Sequence, residues 1–90
     1  MPHTKSPTWR DDLDALAFRP DGHQGVCMVH RRAFRTLMRA MPSPHQCEEF
    51  FKAHEGAFQA AAHAKMLRAR VAASANFHLT SRDVSRQLQN

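Results

Sequence analysis

Ser43-Pro44-His45-Gln46-Cys47-Glu48-Glu49-Phe50-Phe51 opens the stretch whose reading decides the fold. Ser43 can accept from the backbone N–H of Gln46, and the Gln46 side chain can reach back to the N–H of Ser43. That is a capping box, with Pro44 at the first helical position. Glu48 and Glu49 put negative charge near the positive end of the helix dipole, and Lys65, Arg68 and Arg70 crowd the far end. Cys47, Phe50, Phe51, Phe58, Ala61 and Ala62 recur at helical spacing. The pattern predicts one long amphipathic helix from Ser43 to about Arg70, with Gly56 inside it costing about 1 kcal/mol against Ala. Unbroken, it would be about 40 Å long. That exceeds the width of a 90-residue globule, so its last turns are expected to project or to meet a partner subunit.

On the N-terminal side, Pro42 and Pro44 separate this helix from a shorter one over Arg31 to Met41. There Phe34, Leu37, Met38 and Met41 form an apolar stripe, with Arg32, Arg35 and Arg39 on the other side. Before it, Leu13 to Arg19 alternates: Leu13, Ala15 and Ala17 on one side, Asp14, Leu16 and Phe18 on the other. Pro20-Asp21-Gly22 supplies turn chemistry continuing to Gly25, and Val26 to His30 follows, so the two runs read as an antiparallel hairpin. Beyond the long helix, Ser74-Ala75-Asn76 breaks the pattern. Phe77-His78-Leu79 is the expected third strand, returning to a hairpin that would be barely stable alone. Thr80-Ser81-Arg82-Asp83 is a second capping sequence, before a short helix over Val84 and Leu88. The fold class is therefore α+β: a small antiparallel sheet, hairpin plus returning third strand, packed against a short and a long helix. Residues 1–12 read as a flexible N-terminal tail from which Trp9 alone folds back, and residues 13–90 as a single compact domain. Phe18, Phe34, Leu37, Phe51, Phe58 and Leu79 are the expected core.

Certain residues, in this order, carry a resemblance. They are Ala15-x-x-Phe18, Gly22, Val26-x-Met28, Ala33-Phe34-x-x-Leu37, Phe51-x-x-His54-x-x-x-Phe58-x-x-x-Ala62, the basic end at Arg68 and Arg70, and Leu79-Thr80-Ser81-x-Asp83. The chain from about residue 13 to 84 resembles the small bacterial family catalogued as domain of unknown function 1488. It departs from that pattern at Glu55, where the family carries Arg, and at Met66, where it carries an aromatic residue. The resemblance implies a compact α+β fold and no particular activity.

Net charge is +5, from 13 Lys+Arg against 8 Asp+Glu, which permits contact with nucleic acid or another acidic surface. Two cysteines are too few for a disulfide framework, and no signal peptide or long apolar run is present, so the protein reads as cytoplasmic and reduced. Seven histidines invite a metal reading. Cys27 and His30, though, fall on opposite faces of a strand, His45 and Cys47 are about 200° apart on a helix, and four ligands cannot be assembled. His54 shares a face with Phe51 and Phe58 and reads as a structural, hydrogen-bonding histidine rather than a base. Cys27 and Cys47 read as buried core thiols. No phosphate loop, serine elbow or carboxylate pair is visible, and no enzyme, cofactor or metal is expected.

The sharpest remaining feature is Arg31, Arg32, Arg35 and Arg39, candidates for nucleic-acid or partner contact. They supply charge without a base-reading motif. The expected function is a non-enzymatic binding or regulatory accessory domain. The alternative is a weak, non-sequence-specific nucleic-acid binder. A homodimer is also expected, through Ala57, Ala60, Ala61 and Ala64, because so short a chain buries little surface alone; no membrane partner is expected.

Overall fold

In the computed structural model, which describes residues 7–88, the elements are β1 (Thr8–Arg10), β2 (Ala15–Phe18), β3 (Cys27–His30), α1 (Arg31–Met38), α2 (Pro44–Ala53), α3 (Glu55–Ala69), β4 (Phe77–Leu79) and α4 (Ser81–Leu88). The strands lie in the order β1-β2-β3-β4. The α+β class is as the sequence indicates, and the β2–β3 hairpin pairs Leu16 with Val29 and Phe18 with Cys27.

The sheet differs from expectation in two ways. It is mixed, because β4 runs parallel to β3, with Cys27 opposite Phe77 and Val29 opposite Leu79. A parallel neighbour needs a crossover between the two strands, and α1, α2 and α3 supply it. The sheet also has a fourth strand, drawn from the segment read as a tail. Trp9 sits opposite Leu16 and packs on the core, while Thr8 and Arg10 point to the other face. A turn at Asp11 to Asp14 closes this first hairpin, with Asp14 at φ 50°, a conformation Asp tolerates. The part of the expected tail from Met1 to Ser6 lies outside the described residues.

The long helix is not continuous. The capping box at Ser43 and Gln46 forms as read, with hydrogen bonds of 2.8 and 3.1 Å. At His54 the backbone leaves helical geometry (φ −126°, ψ 29°), and its N–H is shared between the carbonyls of Phe50 and Phe51, 3.1 Å from each. Helix α3 then restarts, with Ala57 and Phe58 donating to the His54 carbonyl. Gly56 weakens helix formation just past the break. The bend turns α2 and α3 around one aromatic cluster: Phe51 lies 4.9 Å from Phe18 and 5.1 Å from Phe58, and Phe34 lies 5.8 Å from Phe58. Such centroid distances suit tilted and offset ring packing. Helix α3 alone is about 22 Å long and fits inside a molecule of 32 × 27 × 25 Å.

The core lies between one sheet face and the helices. Leu16, Phe18, Cys27, Val29, Phe77 and Leu79 meet Phe34, Cys47, Phe51, Phe58, Ala62 and Val84. Of the six expected core residues, Leu37 alone is only half-buried. The opposite sheet face carries Thr8, Arg10, Ala15, Ala17, Met28, His30 and His78. Its buried members are Ala15, Ala17 and Met28, with no helix residue in their cluster.

Two loops hold β4 in place. His23 is buried and donates from Nε2 to the Ala75 carbonyl (2.7 Å). Gln24 N–H donates to the Ala73 carbonyl, and Val26 N–H to the Asn76 side chain, both 2.9 Å. Gly25 lies directly against Ala75, leaving no room for a Cβ. Helix α3 steadies the same loop through Gln59, which accepts from Asp21 N–H, and His63, which donates to the Asp21 carbonyl.

Candidate functional site

Strands β3 and β4 are parallel, and each runs almost directly into a helix: β3 into α1 and β4 into α4. The two helices pack beside each other. Between them a hollow of about 450 Å³ is lined by His30, Arg32, Thr36, His78, Thr80 and Ser81 among others. Thr36 and Ser81 also line a second hollow of about 460 Å³, which continues to Arg39, Arg82 and Ser85. Together they form one groove along the α1–α4 face.

The groove is positive because of where the carboxylates go. Helix α1 contains none, and α4 contains only Asp83. Asp83 is buried, 8% exposed. Its Oδ2 accepts from Thr80 N–H (2.9 Å) and its own N–H donates to Thr80 Oγ1 (3.2 Å), the reciprocal cap expected of that sequence. Lys65 Nζ (3.3 Å) and Arg68 Nη2 (3.1 Å) on α3 complete its partners. Burial pushes the Asp83 carboxyl up, but the Thr80 bonds and Lys65 together outweigh burial and hold it below the ordinary carboxylate range. Arg32, Arg39 and Arg82 therefore face the groove with no acidic side chain lining it.

The four arginines expected as one patch divide. Arg31 is committed to the fold. Its Nε lies 3.2 Å from Asp14 Oδ1, an ionic contact too poorly aligned to be a hydrogen bond, and its Nη1 donates to the Pro42 carbonyl at 3.4 Å. Arg32, Arg35 and Arg39 are exposed. Arg32 and Arg39 line the groove and Arg35 does not. Arg82, from the far end of the chain, joins them. Of the acidic cluster near the N-terminus, Asp12 is bound by Arg10 (2.9 and 2.6 Å) and Asp14 by Arg31. Asp14 also borders a neighbouring hollow with Arg32.

At one end of the groove His30 and His78 stack, with centroids 4.9 Å apart and planes 10° from parallel. Both are exposed, on the sheet face away from the helices. The ring planes being parallel, their nitrogen lone pairs do not converge on a common point. Cys27 faces the core and His30 the other side, as strand alternation dictates. His54 is exposed at the helix break. Its ring packs on Phe50 at 4.5 Å and makes none of the side-chain hydrogen bonds expected of it among the described residues; only its backbone N–H and carbonyl are bonded there.

Cys27 and Cys47 are both buried. Burial pushes the Cys27 thiol up to about 12 and the Cys47 thiol up to about 11, so neither holds thiolate near neutrality. Phe51, Phe58 and Ala62 fill the core, and Thr80 and Asp83 cap α4, so these residues have folding roles. Sequence reading missed the groove because Arg82 is distant in the chain from Arg32. The capping signal at Thr80 and the apolar Val84 and Leu88 were the available clues that α4 returns to α1.

Among the described residues no helix is long and apolar enough to cross a membrane, and no group of three or more His, Cys, Asp or Glu side chains is placed to hold a metal ion. Compared with known proteins, the chain matches no family, no curated protein and no solved structure.

Proposed function

We propose that this protein is a non-enzymatic binding domain, an accessory that docks an anionic partner on its α1–α4 face. One observation carries the reading: Arg32, Arg39 and Arg82 line a continuous groove that no carboxylate lines, Asp83 of α4 being buried and bound by Lys65 and Arg68. The side chains best suited to nucleophilic chemistry, the two thiols, are sequestered and protonated, which supports binding over catalysis.

A phosphodiester backbone is the second reading, favoured by the spread of cations along two helices rather than at one point. Contacts of that kind carry charge recognition without sequence readout. The test is fluorescence-detected binding of an oligonucleotide and of an acidic peptide, at low salt and at about 150 mM. Replacing Arg32, Arg39 and Arg82 together by Ala should abolish peptide binding, or flatten the salt slope for the oligonucleotide by up to about three units. Binding of both ligands unchanged by the triple substitution overturns the reading. A peptide held at about 150 mM salt where the oligonucleotide is released favours the protein partner.

Self-association along α3 is a separate proposal. Ala57, Ala60 and Ala64 are half-buried and Leu67 is 83% exposed, whereas Ala61, expected on the same surface, is buried in the core, and the break at His54 removes the overhang that a continuous helix would have presented. Sedimentation equilibrium decides it.

A further inference from the structure

We propose that the His30–His78 end of the groove is a proton-gated oxyanion site, which takes a phosphate- or sulfate-type group together with Arg32, Thr80 and Ser81. The proposal rests on the anion-binding reading of the groove and adds to it the ligand class and its control.

The geometry points to this in three steps. First, the two rings lie 4.9 Å apart and nearly parallel, on an exposed surface rather than packed in a core. Neutral imidazoles stack there without electrostatic cost. Two imidazolium ions at that distance repel strongly. Second, the surroundings sharpen that repulsion. From α1 the rings face Arg32, and Arg31 whose charge is met by Asp14 of the β1–β2 turn. From α4, Ser81 lines the same hollow, and Arg82 lines the adjoining one. From α3 the cation is Lys65, already bound to Asp83. The hollow that holds both rings is lined by no carboxylate, and His30 also borders the neighbouring hollow with Asp14, Arg31 and Arg32. Burial, then His30, then Lys65 all lower the basicity of His78. Third, an oxyanion seated against the rings reverses the sign of that field. Its separate oxygens would accept from one N–H of each ring, which need not converge on one atom, and from the Arg32 guanidinium. Thr80 Oγ1 accepts from the Asp83 N–H, which leaves its own proton to donate, and the Ser81 hydroxyl lines the same hollow. Proton binding and anion binding therefore reinforce one another, and by linkage each strengthens the other equally. The site fills when the rings are protonated and empties as they lose their protons.

Sulfate is the probe, because its charge is constant across that range, and an oligothymidylate strand is the phosphodiester arm. The full chain is titrated with sulfate at constant ionic strength, at about pH 6 and about pH 8, with the imidazole Cε1–H resonances followed by NMR. Sulfate should move the His30 and His78 signals, raise the pH at which both titrate, and bind on the order of tenfold more tightly at the lower pH. In the His30→Asn/His78→Asn variant that pH dependence should disappear, with the amide spectrum reporting an intact fold. Sulfate that leaves both rings unmoved, or a pH dependence that persists in the variant, overturns the proposal. If the strand displaces sulfate from the rings, the site takes a phosphodiester; if it does not, the site takes a small oxyanion. The Arg39→Ala/Arg82→Ala variant separates this proposal from the wider reading. Strand or peptide binding lost with the sulfate response kept removes the long groove and leaves the histidine site. The reverse result removes the histidine site alone.

Discussion

Lys65 Nζ stands 3.3 Å from Oδ2 of the buried Asp83, so the carboxylate that caps α4 also ties that helix to α3. Asp83→Ala should remove the cap and leave Lys65 and Arg68 without their partner, a loss of about 2–3 kcal/mol in urea unfolding. The folded carboxyl titrates below its unfolded value, so its stabilisation is complete above about pH 4 and is lost as pH falls through the folded value. The wild type should therefore weaken toward acid more steeply than Asp83→Asn. Parallel acid limbs for the two proteins would remove the ion cluster as the cause.

Two glycines should respond oppositely to alanine. At Gly25 a Cβ would overlap the Ala75 carbonyl, backbone that is itself pinned by His23. Gly25→Ala should cost roughly 1–3 kcal/mol by overpacking. At Gly56 the space around a Cβ is open and the residue lies within α3. Gly56→Ala should gain about 0.4–1 kcal/mol. Thermal melts of both variants check the pair, and a stabilised Gly25→Ala would show that the loop contact is not tight.

Neither thiol should react in the folded state. With Cys27 raised to about 12 and Cys47 to about 11 by burial, an aromatic disulfide reagent at about pH 8 should find no reactive thiol in the native protein and both in denaturant. Rapid native labelling of either would argue that its surroundings open.

Phe58 touches Phe18, Phe34, Phe50 and Phe51, whereas Leu37 is only half-buried. Phe58→Ala should cost about 3–5 kcal/mol and Leu37→Ala clearly less. Denaturant midpoints compare them directly, and equal losses would count against the division of the core.

Local chemistry was legible in the sequence, and its long-range assembly was not. The Ser43–Gln46 and Thr80–Asp83 caps, the β2–β3 hairpin and the strand at Phe77 to Leu79 are each set by neighbouring residues, and each appears where the pattern places it. The break at His54 was hidden because the apolar spacing continues through it; the bend is imposed by tertiary packing of Phe51 and Phe58 on Phe18. β1 was missed because three residues between Pro7 and an acidic turn show too little alternation to read. The arginine patch was half legible. Charge on α1 is visible in sequence, but the commitment of Arg31 to Asp14 and the arrival of Arg82 depend on how distant segments meet.

The parallel pairing of β3 with β4 has a consequence for how this protein is made. The β4 strand joins a partner synthesised three helices earlier, and the α4 wall of the groove waits on that event. During translation the segments before it can collapse, but Val29 lacks its neighbour Leu79 and the α3 end at Lys65 and Arg68 lacks Asp83. Contacts so far apart in sequence close late. Until β4 and α4 have emerged and docked, the chain therefore exposes one edge of β3 and an uncompensated basic cluster. The α1–α4 face comes into being only when α4 has docked.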